Sequence, residues 1–222
     1  MYGISQEIID RVVARRGRLH AYETIAAAST ALVVIDLQNY FMKPEYPSSV
    51  PAAREIVPKV NEAARVVRSR GGTVVWISTS SDGAEKFWSV MHEHLLTPQQ
   101  ERSRRAGLKP GSDGFALWSG LEVEPQDLQV TKRTFSALVH GSSPLESELR
   151  GRGIDTVLIA GTVTNVCCES TGRDAMMLNF KTIMLADALA GKLASAHVAA
   201  LSGFIENFGD VMRVEEMAAR IA

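Results

Sequence analysis

Six short apolar runs, separated by stretches with helical spacing, constrain what this chain can fold into. "ALVVIDLQ" (31–38), "TVVWIS" (73–78), "DLQVTK" (127–132), "DTVLIAG" (155–161), "KTIMLAD" (181–187) and "DVMRV" (210–214) read as strands. Several are continuously hydrophobic rather than alternating, the mark of a strand covered on both faces. Residues 52–72, 143–154, 165–179 and 192–209 read as the intervening helices. The first stops at a Gly-Gly pair, and the second opens on a serine, a proline and a nearby glutamate, the usual signals of helix ends and starts. This alternation predicts an α/β fold: three layers around a six-stranded, mostly parallel, doubly wound sheet.

The 222 residues fit one domain spanning 1–222. An amphipathic N-terminal helical extension covers 1–28. A lid-like insertion covers 79–125, with one helix around 85–105 followed by the loop "GLKPGSDG". A formal net charge of −1 argues against nucleic acid or an anionic membrane as partner. The run "RSRR" (102–105) reads as a solvated helix face. No stretch approaches the roughly 20 apolar residues of a membrane span, and the N-terminal residues are too charged for a secretory signal. With two adjacent cysteines and no disulfide framework, a reducing cytoplasm is the expected location.

In an open parallel sheet, ligands sit outside the carboxyl ends of the strands. Asp36 follows the first apolar run, Lys132 ends the third, and Cys167 lies just past the fourth at a helix start. Taken singly, each has a plainer role: a cap, a solvated charge, a small buried hydrophobe. Brought to one rim, they form a nucleophile with two attendants. The first turn of a helix and a neighbouring ammonium favour thiolate over thiol. Asp36 is placed to take the sulfur's proton and return it to a leaving amine.

The segment "GTVTNVCCESTGRDA" (161–175), with "VVIDLQNYF" around Asp36 and "VTKRTFSALVHGSSPLESELRGRGIDTVLIAG" from Lys132 onward, resembles the isochorismatase-like cysteine hydrolases over roughly residues 30–190. The resemblance implies Asp36 as proton carrier, Lys132 as stabiliser of thiolate and transition state, and Cys167 as nucleophile, with Cys168 packed on the core. It also implies a cis peptide at Thr162–Val163, with the backbone N–H groups of Val163 and Cys167 as the oxyanion hole. The implied reaction is cofactor-free hydrolysis of an amide-type C–N bond through a thioester, releasing ammonia or carbamate.

Within that family, the cysteine points away from vinyl-ether chemistry. Asp82 lacks the histidine two residues on that a nicotinamidase metal site needs. His92 and His94 would point about 200° apart on a helix and read as solvated, so no metal is expected. The wording of the cysteine segment is similar to ureidoacrylate and biuret hydrolases, and a small ureido, carbamoyl or amide substrate is expected. Asn39, Phe41, Trp88 and Thr164 are candidate substrate-binding residues. Trp118 is a further candidate lid residue, and His140 lies either at the rim or on the surface. A nicotinamidase-like amidase, a non-catalytic small-molecule binder and a redox sensor using Cys167 and Cys168 stay open. The resemblance also suggests a homodimer or homotetramer, with the N-terminal segment either at an interface or on its own domain.

Overall fold

The computed structural model describes residues 2–222. Its six strands are β1 (Thr30–Ile35), β2 (Thr73–Thr79), β3 (Leu128–Lys132), β4 (Thr156–Thr162), β5 (Lys181–Ala190) and β6 (Asp210–Met212). They form one sheet in the order β3-β2-β1-β4-β5-β6, with every neighbouring pair parallel. The order reverses direction between β1 and β4, the switch point at which such sheets open a crevice.

The continuous apolar runs of β1 and β4 follow from their position, since every residue of both strands is buried. Side chains alternate between faces. Ala31, Val33 and Ile35 join one core with Leu149, Ala175, Leu201 and Phe204. Leu32 and Val34 join the other with Val60, Ala64, Val67 and Met217. The helices Leu145–Gly151, Glu169–Met177 and Ala194–Asn207 therefore cover one face, and Val57–Ser69 and Val214–Ala218 cover the other.

Two expectations change. The N-terminal helix spans only Gln6–Arg16, where Gly17 in the left-handed region (φ 73) donates its N–H to Val13 and ends it. It lies on Ala194–Asn207 of its own chain, through an Arg11–Glu206 ion pair at 2.6 Å and bonds from Arg15 and Arg16 to backbone carbonyls. The single helix expected around 85–105 is three pieces, Ala84–Phe87, a π-helical turn Val90–His94 and Pro98–Gly107. Proline cannot occupy a helix interior and forces the preceding residue to be extended. Thr97 (ψ 157) accordingly becomes the cap of a new helix, in a capping box with Gln100.

Candidate active site

Each polar vertex of the site grows from a strand end. Asp36 is the first residue after β1 and sits at φ 57, a left-handed conformation that aspartate tolerates better than most residues. Its N–H bonds to Ile77 O at 3.0 Å. Lys132 ends β3 in register with Thr79, which ends β2. Beside them, the buried Gln38 donates to Thr79 O and accepts from Thr79 N, locking the ends of β1 and β2 together.

Lys132 is fully buried, and its three protons have three destinations. Nζ lies 2.9 Å from Asp36 Oδ2, 2.6 Å from Thr79 Oγ1 and 3.0 Å from Thr134 O. The Thr79 hydroxyl donates in turn to Asp36 Oδ1 at 2.8 Å. Asp36 Oδ2 is buried and meets the ammonium as an ion pair, without a directional hydrogen bond of its own. The Asp36 carboxylate also acts on the Cys167 thiol, adding to its upward shift.

Cys167 arrives from β4 through the π-helical turn Thr164–Cys168, which leads into Glu169–Met177. Gly161 makes this approach possible. At φ 111 it crosses so close to β1 that a Cβ there would stand 2.1 Å from Ile35 O. The Thr162–Val163 peptide is cis, where the resemblance implied it. Cys168 is fully buried with its sulfur toward Ala160 O, packed on the core as expected.

The electrostatics differ from the sequence expectation. Burial pushes the Cys167 thiol up to about 12; Lys132 pulls it back, while Asp36 adds to the rise. Burial works against the Lys132 charge as well, but the neighbouring Asp36 carboxylate holds it and its net shift is upward. Cys167 thus rests as a neutral thiol beside a buried ion pair rather than as a standing thiolate. Loss of water outweighs the helix start and the ammonium.

An isochorismatase-domain family model matches residues 30–216. The chain belongs to the isochorismatase family. It is 31% identical over 202 residues to the ureidoacrylate amidohydrolase RutB of Methylobacterium radiotolerans, covering 84% of this chain and 77% of that protein. Against the RutB of Klebsiella variicola it is 31% identical over 207 residues, covering 86% of both. The crystal structure of a cysteine hydrolase from Pseudomonas syringae pv. phaseolicola superposes with a TM-score of 0.82 at 26% identity, covering 91% of this chain and 96% of that one. In this structure Lys132 contacts Asp36 at 2.9 Å, and the charges of both act on the Cys167 thiol.

A cavity of about 450 Å³ opens over Cys167. Val163 and Phe41 line it, but the other candidate substrate contacts do not. Asn39 spends its amide on Asp113, donating to the backbone carbonyl at 2.9 Å and the carboxylate at 3.2 Å, and so holds the loop of the insertion. Trp88 stands behind the wall, edge-on to Phe135 at 4.6 Å, where it supports a lining residue. Thr164 is buried, with its hydroxyl 2.8 Å from His197 Nδ1. Trp118 is half-buried against the second core and His140 is exposed.

His92, expected on the surface, is buried against Glu101 at 3.4 Å, because the helix breaks there and turns its ring inward; His94 is exposed. Asp82 is exposed. Among the described residues, no three His, Cys, Asp or Glu side chains are grouped to hold a metal ion, and no helix is long and apolar enough to cross a membrane.

Two residues escaped the sequence reading. Thr79 had a usable signal, as a hydroxyl ending the strand between those of Asp36 and Lys132. Arg104 had none, since "RSRR" gives no hint that Arg104 is buried while Arg105 faces out.

Proposed function

We propose that this isochorismatase-family hydrolase is a cysteine-dependent amidohydrolase that cleaves a C–N bond of a small ureido, carbamoyl or amide substrate. The observation that supports this reading is the buried Asp36–Lys132 ion pair, whose charges both act on the Cys167 thiol lining the cavity. The amidohydrolase names of the RutB relatives agree with it.

With the carbonyl over Cys167, Asp36 takes the thiol proton as sulfur attacks. The oxyanion is held by the N–H groups of Val163 and Cys167. Collapse expels the amine or ammonia, which leaves with the proton from Asp36. Water, deprotonated by Asp36, then cleaves the thioester and returns the proton to sulfur. For a ureide the sum is R–NH–CO–NH2 plus water giving R–NH2 and carbamate, which breaks down to ammonia and carbon dioxide. Lys132 holds Asp36 in place through their ion pair, and its ammonium offsets negative charge as the thiol ionises. The chain's own side chains supply each proton transfer, so the scheme calls on no cofactor.

Ammonia release across ureidoacrylate-like ureides, biuret, N-carbamoyl amino acids and nicotinamide tests the reading, with and without prior alkylation by iodoacetamide. Turnover abolished by modification at Cys167 is expected. Turnover that survives full modification there overturns it.

A further inference from the structure

The wall of the cavity that Cys167 lines also carries a cation with no protein partner among the described residues. Arg104, on the helix Pro98–Gly107, is 8% exposed and lines the cavity. Among the described residues, its guanidinium forms no salt bridge and no hydrogen bond. The guanidinium lies over the Trp88 ring, 5.9 Å from its centre. The carboxylates of that region are committed elsewhere: Glu101 and Glu85 both pair with Arg105, at 2.7 and 2.9 Å, and Glu101 also faces His92.

A guanidinium with five donors on a largely buried side chain favours an anionic partner. The cavity lining supplies none, since its charged residues are Arg104 and Lys192, with no acid among them. Beneath the lining, Asp36 and Lys132 neutralise one another. A substrate entering this space meets both net positive charge and the thiol. Arg104 reaches the reaction centre electrostatically, as its charge counts among those that lower the Cys167 thiol and oppose protonation of Lys132.

Resting on the amidohydrolase reading above, we infer that Arg104 is a specificity-determining residue that takes the carboxylate of an anionic substrate. The substrate class is then a ureido or carbamoyl acid, with its amide carbonyl at Cys167 and its carboxylate at Arg104, rather than a neutral amide. Planar two-point recognition of a carboxylate suits arginine better than lysine. Trp88 and Phe135, packed edge to face, brace that side of the cavity. Lys192, exposed at the rim, adds to the attraction of an anion from solvent.

The test compares (Z)-3-ureidoacrylate with its methyl ester, which keeps the ureide and loses the charge, reading ammonia release by the full chain. Wild type should prefer the acid in kcat/KM. Arg104→Gln should lose about 10- to 100-fold on the acid, mainly through KM, as expected for charge-assisted hydrogen bonds. Its loss on the ester, which reports only the effect of the charge on the thiol, should be at least about fivefold smaller than its loss on the acid. Arg104→Lys should recover part of the loss on the acid. Equal losses on acid and ester, or a wild type that does not favour the acid, overturn this inference and leave the amidohydrolase reading standing. Failure to hydrolyse any amide of the wider panel overturns both.

Discussion

If burial governs the nucleophile, removing Cys167 should leave no trace in the near-neutral titration of thiolate absorbance. Its thiol is pushed from 9.0 up to about 12. A three-unit rise means roughly a thousandfold less thiolate at neutral pH than an unperturbed thiol has. The assay is thiolate ultraviolet absorbance, titrated as a difference between wild type and Cys167→Ser, so that tyrosines cancel. Cys168 is likewise raised by burial and contributes nothing in this range. No absorbance step should appear between about pH 5 and pH 9, a window that would reveal any activated thiolate. A step in that window, abolished by Cys167→Ser, would refute the argument. It would mean that Lys132 and the helix start, not loss of water, set the resting state, and that Asp36 is not needed to ionise the sulfur.

Thr79→Val keeps the shape but deletes the hydroxyl between Lys132 and Asp36. It should cost about 2–4 kcal/mol in denaturant unfolding, with kcat falling more than KM rises. Asp127 sits far from the cavity and binds Arg68 at 2.6 and 2.9 Å and the Trp76 indole at 2.8 Å. Asp127→Ala should therefore lose about 3–5 kcal/mol while leaving KM unchanged, because it strands a half-buried cation. Gly161→Ala should abolish soluble expression, since the new Cβ meets the Ile35 backbone, which has no room to move. Stability against pH should fall on both sides. His92 and His197 are depressed by burial, so the unfolded chain gains protons first as pH drops through 6.5; Cys167 is raised, so the unfolded chain loses its proton first above pH 9. His197→Asn should flatten the acid limb in unfolding titrations, and an unchanged limb would contradict that assignment.

The sheet was legible because burial on both faces writes itself as unbroken hydrophobic runs, and β1 and β4 show it most plainly. Strand ends then converted sequence into space: once the strands are parallel, Asp36, Lys132 and Cys167 share one edge. The insertion was illegible for a physical reason. Its segments are short and held by polar contacts between side chains, such as Asn39 to Asp113 and Glu101 to Arg105, so no periodicity records which side chains face inward. Arg104, Trp88 and His92 were misread for that reason. The state of the thiol was misjudged for another: helix start and lysine are visible in sequence, whereas exclusion of water is a property of the whole fold.

The central claim is covalent, that the acyl group of the substrate rests on the sulfur of Cys167. Rapid acid quench of a ureide turnover, followed by mass analysis of the peptide carrying both cysteines, measures it directly. The account predicts a transient adduct on Cys167, absent from Cys168, that disappears with substrate and never forms in Cys167→Ser. Steady turnover with no adduct, or undiminished kcat in Cys167→Ser, would contradict it.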